Sequence, residues 1–171
     1  AAHHTFGQDI VITNCSNNYG PLQFPEKLIP LMIMNALASE PLPVYGDGLN
    51  LRDWIHVEDH CRAVRLAGEK GASGETYCIG TDNEQPNIDV VRDIIRLTGQ
   101  DESLIRYVKD RPGHDRRYAI DSTKIRTQLG WEPQIPWEKG LRDTINWYQE
   151  NTDWLDRIRT GEFKKFYETH Y

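Results

Sequence analysis

The sequence predicts an α/β fold, and three patterns support this prediction. The segment DIVITNCS, residues 9–16, is a β-branched apolar run typical of a buried parallel strand. Ile88, Val91 and Ile95 recur at the spacing of one helical face. Strand-like and helix-like segments also alternate along the chain. With 171 residues, 38% apolar and 27% charged, the chain can form one domain with a core, although the alternation alone leaves an α+β arrangement open.

Proline, glycine and asparagine divide the first half of the chain into elements. The motif NNYGP ends the first strand, and Pro25 with Glu26 begins a helix that extends to about Ser39. Pro30 lies deeper, where a proline either bends a helix or delays its start. The next segments are predicted, in order, as a strand and turn in PLPVYGDGLN, a strand in LRDWIHV, a helix in EDHCRAVRLAGEK and a strand in ETYCIG.

Caps and periodicity predict the elements of the second half. Asn87 is expected to cap a helix that Gly99 ends, and SLIRYVKD is expected to form a strand. Asp121 is expected to cap a short helix that ends at Gly130. A further helix is predicted from the helical spacing of Trp137, Leu141, Ile145 and Tyr148, and residues 151–171 form a tail that is helical only at first.

Composition argues against several classes of function. A formal net charge of -6 and a pI near 5.5 are unlike a general nucleic-acid binder, although they allow an anionic small ligand. Cys15, Cys61 and Cys78 lack paired spacing, so reduced thiols in the cytoplasm are expected and no zinc site is indicated. The longest apolar stretch, LIPLMIMNALA, is too short to cross a bilayer, and no signal peptide opens the chain.

The chain has no credible primary cofactor site or catalytic set of its own. A dinucleotide pyrophosphate needs a glycine turn between a strand and a helix, and no G-x-G-x-x-G occurs. GEKGASG follows a helix and precedes a strand, so we interpret it as a helix stop and a loop. His56 and His60 are four residues apart, but His56 belongs to the preceding strand, so no metal site is expected.

Several polar residues lie where a ligand could bind. Asn17 and Asn18 directly follow a strand, where carboxamides could bind hydroxyls or a phosphate, although these residues also suit a plain turn. Lys27 lies in the first predicted helical turn, a setting that favours anions, although most lysines are simply solvated. Tyr45 could stack on a nucleobase or be simply half-buried. Arg52 could grip a diphosphate or form a surface ion pair with Asp53 or Glu58.

The segment DRPGHDRRYAID contains the densest polar cluster. Arg111, His114, Arg116 and Arg117 lie in a loop that could close over phosphates or stay solvated. Asn87 has a similar ambiguity, because a capping role would explain it without any ligand.

These segments together resemble the extended short-chain dehydrogenases. RDWIHVEDHCRA is similar to a strand and helix shared across that superfamily. SNNYGPLQFPEKLIPLMI and RPGHDRRYAIDSTKI, followed by LGW, resemble more narrowly the dTDP-glucose 4,6-dehydratase family. The resemblance covers residues from about His3 to about Tyr148.

The resemblance implies a role for each matching position. Asn18 would reach the nicotinamide end of NAD, and Asn17 would contact a sugar nucleotide such as dTDP-glucose. Lys27 and Leu28 would line the diphosphate and nucleoside. The remaining implied substrate contacts are Pro43, Val44 and Tyr45 at the thymine, Arg52 at the diphosphate, Asn87, and the closing loop of Asp110, Arg111, Pro112, Gly113 and His114.

The resemblance also implies which parts of the enzyme this chain lacks. The reaction uses a Tyr-x-x-x-Lys pair, a threonine and an Asp–Glu couple, all upstream of residue 1, so no catalytic residue is assigned here and the chain alone is expected to be inactive. The implied fold is the C-terminal part of a Rossmann-type enzyme: residues 1–20 as a remnant of the NAD-binding domain, 21–150 as mainly the small substrate-binding domain, and 151–171 as a helical tail. The parent would be a homodimer.

Two alternatives remain open on the sequence. One is the same part of a UDP-glucose 4,6-dehydratase or another nucleotide-sugar epimerase or dehydratase. The other is a non-catalytic nucleotide-sugar-binding module.

Overall fold

A computed structural model describes residues 1–159 and 161 of the chain. The strands are β1 (Ile12–Cys15), β2 (Asn17–Tyr19), β3 (Leu42–Tyr45), β4 (Leu51–His56), β5 (Thr76–Ile79), β6 (Glu84–Pro86), β7 (Ile105–Val108) and β8 (Arg117–Tyr118). The α-helices are α1 (Ala2–Phe6), α2 (Leu28–Leu37), α3 (Val57–Lys70), α4 (Asn87–Thr98), α5 (Thr123–Leu129), α6 (Trp137–Glu150) and α7 (Thr152–Arg159).

One layer of the fold is a parallel strand pair with two helices. Strand β1 pairs with β5 in parallel, and helices α3 and α5 pack beside them. A small apolar core lies between these elements, formed by Ile55, Ala63, Ala67, Tyr77, Ile79, Ile125 and Trp131. The predicted parallel strand in residues 9–16 is present, with Ile12–Cys15 as its regular part. Its predicted burial was wrong, because Ile12 is 52% exposed.

Strand β4 connects this layer to the rest of the molecule. Its second half pairs in parallel with β2, from Asn17 opposite Trp54 to Tyr19 opposite His56. Its first half lies between the antiparallel β6 and the short parallel β8. Because successive side chains of a strand point to opposite faces of the sheet, one face of β4 can line a ligand site while its other face packs against a core or a loop.

The larger core lies on the opposite side of β4. Strands β3 and β7 pair in parallel beside helices α2, α4 and α6, whose apolar faces meet one another. Ile29, Ile33, Val91, Ile94 and Leu141 are almost completely buried there. The helical stripes predicted for α4 and α6 are confirmed, and both mark this shared core.

The predicted starts of α2 and α5 were wrong. Helix α2 begins at Leu28 rather than Pro25, with Lys27 at its N-cap position. Pro30 is thus in the first turn, where its missing N–H has no intrahelical partner to lose, so the proline delays the start rather than bending the helix. In α5 the N-cap residue is Ser122, although the Asp121 carboxylate still accepts a hydrogen bond from the Thr123 N–H at 2.8 Å.

The tail begins as predicted, with α7 after a break at Asn151. Residues 160 and 162–171, on which the rest of the tail prediction falls, lie outside the described residues. Across the described part of the chain, every helix is too short or too polar to span a bilayer. The division at residues 20 and 150 stays a prediction.

Candidate nucleotide-sugar site

The candidate site is a cavity of about 630 Å³ beside β2, β3 and β4 and the start of α2. It brings together segments that are far apart in the sequence, from Asn17 to His114. The residues that the sequence singled out and that line it are Asn17, Asn18, Lys27, Leu28, Pro43, Tyr45, Arg52, Asn87, Arg111 and His114. Most of the predicted ligand residues therefore line one cavity.

Arg52 provides a buried cation at this cavity. It lies on β4 with only 9% of its surface exposed, and it donates to the backbone oxygens of Leu51 at 2.6 Å and Asp115 at 2.8 Å. Burial lowers the pKa of the Arg52 guanidinium from its ordinary value, Asp115 opposes this effect, and the charge of Arg111 adds to it. Neither alternative ion pair of Arg52, with Asp53 or Glu58, is formed, so its charge stays available to an anion.

The start of α2 forms a second positively polarised wall. Lys27 occupies the N-cap position in an extended conformation, and its ammonium group pairs with the exposed Glu26 carboxylate at 2.9 Å. The first N–H groups of α2 have no partners inside the helix and carry the positive end of its dipole. An anion at this point would meet those N–H groups and could compete with Glu26 for Lys27.

Tyr45 and the loop of residues 110–114 form a clamp at the other end of the cavity. The Arg111 guanidinium lies 5.3 Å from the centre of the half-exposed Tyr45 ring. The His114 ring meets the same tyrosine edge-on at 6.3 Å. Asp110 accepts hydrogen bonds from the His114 ring and from the Arg111 N–H, and the His114 bond is the main cause that lowers the Asp110 pKa. The loop therefore lies folded over Tyr45.

Strand β2 holds Asn17 and Asn18 against β4 and α3. Asn18 is held by its side chain, which meets the His60 ring, and by its backbone oxygen, which accepts from Gln23 at 2.9 Å. Gly20 is required just beyond, because its φ is 143° and a Cβ there would lie 2.6 Å from Val57. The plain-turn interpretation of these asparagines was wrong, because both lie in strand β2, where pairing with β4 extends the backbone, and both line the cavity.

The prediction that Asn87 caps α4 was wrong. Pro86 is the N-cap residue, Asn87 is the first residue of the helix, and its side chain makes no capping hydrogen bond. Its Oδ1 is instead buried without a hydrogen-bond partner among the described residues. A buried acceptor without a partner is costly unless water or a ligand satisfies it, so this oxygen is a candidate ligand contact.

Two further residues of the cavity carry a buried polar atom without a partner among the described residues, and neither was predicted from the sequence. The Oε1 of Gln23 and the Nε1 of Trp54 are buried without partners among the described residues. Trp54 could have been found, because it follows Arg52 by two residues on β4 and therefore shares its face. Gln23 lies in an irregular segment and carries no comparable signal. Glu26, Leu31 and Met32 also line the cavity unpredicted.

Four predicted ligand residues do not line the cavity. The Val44 side chain points into the larger core with 2% exposure, since β3 alternates and directs Pro43 and Tyr45 to the other face. Asp110 lies against Gly46, where a Cβ would meet its carboxylate at 2.9 Å. Pro112 and Gly113 are exposed in the loop, so these residues shape the clamp rather than the cavity wall.

Asn18 is the one residue of this chain for which the resemblance predicts a contact with NAD. Asn18 lines the cavity, but no G-x-G-x-x-G turn exists in the 171 residues to hold the pyrophosphate. The loop of residues 71–75 joins α3 to β5, as the interpretation of GEKGASG required. Within the described residues, no group of three or more His, Cys, Asp or Glu side chains is arranged to hold a metal ion.

Comparison with known proteins places the chain in one family. The family model described as GDP-mannose 4,6 dehydratase matches residues 1–144. A curated dTDP-glucose 4,6-dehydratase of Xanthomonas campestris pv. campestris is 52% identical over 173 aligned positions, which cover 96% of this chain and 49% of that protein. The chain spans about half the length of the curated relatives it matches.

Solved structures agree with this assignment. A dTDP-glucose 4,6-dehydratase of Bacillus anthracis in complex with NAD superposes with a TM-score of 0.85 at 51% identity, covering 89% of this chain and 48% of that one. The enzyme of Streptomyces venezuelae with NAD and TYD bound gives a TM-score of 0.87 at 47% identity, covering 90% and 48%. The α/β prediction, as the C-terminal part of an extended short-chain dehydrogenase, is confirmed.

Proposed function

This chain belongs to the GDP-mannose 4,6-dehydratase family, and we propose that it is the nucleotide-sugar-binding part of a dTDP-glucose 4,6-dehydratase. The whole enzyme would convert dTDP-glucose to dTDP-4-keto-6-deoxyglucose and water. The observation that carries the proposal is the convergence of Lys27, Arg52 and Arg111 on one cavity, in a chain whose net charge is -6. Curated dTDP-glucose 4,6-dehydratases that are 52% and 51% identical to this chain support the same substrate class.

The diphosphate would lie between Arg52 and the start of α2. Arg52 is already held by two backbone oxygens, so little side-chain freedom is lost when an anion binds. Its planar guanidinium can meet two phosphate oxygens together, and the free N–H groups of α2 can meet others. Lys27 and Arg111 would add charge at the rim, where both are exposed to solvent.

The nucleobase would stack at Tyr45. The half-exposed ring lines the same cavity as Pro43 and Leu28, and the Arg111 guanidinium lies over the ring, 5.3 Å from its centre. The loop of residues 110–114 would close this end and exclude water. Val44 would contribute through its backbone, because its side chain belongs to the core.

The sugar hydroxyls would meet the unpaired polar atoms of the cavity. Asn87 Oδ1 and Gln23 Oε1 are acceptors, and Trp54 Nε1 is a donor, so each can pair with a hydroxyl. Asn17 adds a carboxamide on the same wall. These groups would orient the sugar rather than transfer protons.

The chemistry that NAD supplies when bound is reversible acceptance of a hydride from the sugar. Among the residues of this chain, Asn18 would hold the nicotinamide end, and the resemblance assigns the acid, base and tyrosine groups to residues outside it. The proposal therefore includes an NAD-dependent hydro-lyase as the whole enzyme, cytoplasmic and homodimeric. It predicts that the purified 171-residue chain forms no 4-keto-6-deoxy product.

Calorimetric titration of the chain with dTDP, and then with UDP and GDP, tests the proposal. We expect one site per chain, with dTDP bound more tightly than UDP or GDP. Equal or tighter binding of UDP would favour the UDP-glucose alternative. Absence of dTDP binding by a folded chain would contradict the proposed site.

A further inference from the structure

We infer that His60 is a positioning residue that fixes the carboxamide of Asn18 so that only an acceptor faces the ligand. The inference deepens the proposed function and rests on it, because Asn18 matters here through its place beside the cofactor and sugar. It also restricts the chemistry of the ligand group at this point to a hydrogen-bond donor, such as an amide N–H or a hydroxyl.

The fold brings these two residues together from distant parts of the chain. Asn18 lies in β2, opposite Ile55 of β4, and β4 leads directly into α3. His60 is the fourth residue of α3, so its ring comes back over the end of β2. The two side chains meet with 2.8 Å between the Nδ1 of His60 and the Oδ1 of Asn18, in a partly buried setting.

The neighbours of Asn18 determine which way its carboxamide points. Its Nδ2 lies 3.1 Å from the backbone oxygen of Ser16, which can only accept a hydrogen bond. The Sγ of Cys15 lies 3.4 Å from the same nitrogen. The amide nitrogen must therefore face Ser16, and the amide oxygen must face His60.

The orientation of Asn18 in turn determines the tautomer of His60. Since the amide oxygen is an acceptor, the Nδ1 of His60 must carry the proton. Burial lowers the pKa of His60, so at neutral pH the ring is a neutral donor rather than a cation. His56, one turn earlier, is the reverse case, because its Nδ1 accepts a hydrogen bond from the Glu58 N–H at 3.3 Å.

These bonds leave one free hydrogen-bonding position on Asn18. Both amide hydrogens are directed at Ser16 and Cys15, and one lone pair of Oδ1 is used by His60. The second lone pair of Oδ1 is what the side chain can offer to a ligand. A carbonyl or phosphate oxygen would be repelled there, whereas an amide or hydroxyl donor would be bound.

The first arm of the test measures the tautomers directly. In the 171-residue chain with ¹⁵N-labelled histidine, we expect the ring of His60 to be protonated on Nδ1 and the ring of His56 on Nε2 near neutral pH. Protonation of His60 on Nε2 would overturn the inference. This measurement needs no substitution and no cofactor.

The second arm uses the whole enzyme that carries this segment. In His60→Leu we expect the Kd for NAD to rise about tenfold, since one hydrogen bond is lost and a carboxamide is released, while the Kd for dTDP stays within about twofold. His60→Asn should restore NAD binding, because its Nδ2 stands where the Nδ1 of histidine stood. Cys61→Ala, at the exposed neighbouring position of α3, is the control and should change neither constant.

The outcomes separate this inference from the proposed function. Unchanged NAD affinity in His60→Leu, with dTDP bound normally, overturns the inference and leaves the proposed function in place. Loss of NAD affinity that His60→Asn does not restore also overturns it, because a merely structural histidine would behave in this way. Failure of the unmodified enzyme to bind dTDP refutes the proposed function instead.

Discussion

Replacement of Arg52 by alanine should abolish most nucleotide binding and leave the fold nearly unchanged. The two effects are separable because Arg52 donates only to backbone oxygens, of Leu51 and Asp115, and lies beside another cation, Arg111. Each lost hydrogen bond is worth about 1 kcal/mol net. Release of a buried charge offsets part of this loss, so we expect the free energy of unfolding to fall by about 1 kcal/mol.

The expected loss in binding is larger. A charge-assisted hydrogen bond contributes about 1.5–3 kcal/mol, and Arg52 can form two with a diphosphate. A net loss of about 3 kcal/mol corresponds to roughly 150-fold in the Kd for dTDP. Arg52→Lys keeps the charge but not the planar pair of donors, so we expect a loss of about tenfold.

Calorimetric titration with dTDP and urea unfolding measure the two quantities on the same samples. Arg106→Ala is a matched control, because Arg106 also donates to two backbone oxygens, of Ser103 and Ile105, and does not line the cavity. It should lose a similar amount of stability and no affinity. An Arg52→Ala chain that binds dTDP as tightly as the unmodified chain would refute the placement of the diphosphate.

Three further substitutions, the first with a control, test the framework of the site by urea unfolding. Gly48→Ala should lower the free energy of unfolding by about 3 kcal/mol, because φ is 73° and the new Cβ would lie 2.8 Å from Val44 and 2.9 Å from Ile88. The control Gly99→Ala has a similar φ of 69° but open space around it, so it should lower the free energy of unfolding by only about 1 kcal/mol. Asp53→Asn should lower the free energy of unfolding by about 3 kcal/mol. The buried Asp53 carboxylate accepts hydrogen bonds from the N–H groups of Thr81 and Asn83 and from the Thr81 hydroxyl, and an amide cannot accept all three in the same way. A decrease below about 1 kcal/mol would contradict this expectation. Burial lowers the pKa values of His56 and His60 from 6.5, so the unfolded chain takes up protons first and the free energy of unfolding should fall as the pH drops below about 6.5. His56→Asn keeps an acceptor for the helix start and should reduce that pH dependence. An unchanged slope of unfolding free energy against pH would contradict the role of His56.

The elements that the sequence predicted well are those whose signal is repeated over several residues. The stripe of α4 and the apolar run of β1 each combine several side chains, and both elements are present. The errors occurred where one residue carried the prediction. Asn87 suits a cap by its chemistry, but Pro86 holds the N-cap position in an extended conformation, and Asn87 is the first residue of the helix.

The site followed a similar division. Arg52, Tyr45 and Arg111 were singled out by residue type, and they line the cavity together. Trp54 and Gln23 were missed because burial without a partner is a property of the folded surroundings and not of the residue. Neither the unpaired Oδ1 of Asn87 nor the inward direction of Val44 can be assigned before strand and helix packing is known.

The sequence by itself determined the fold class, the family resemblance and the set of charged and polar residues that a nucleotide sugar requires, because these depend on local patterns and on side-chain chemistry. The tertiary structure decided which of those residues share one cavity, which backbone oxygens hold Arg52, and that His60 meets Asn18 across 42 positions. The physical reason is that a hydrogen bond depends on positions within a few tenths of an ångström. Such positions are set only when the two cores pack on either side of β4.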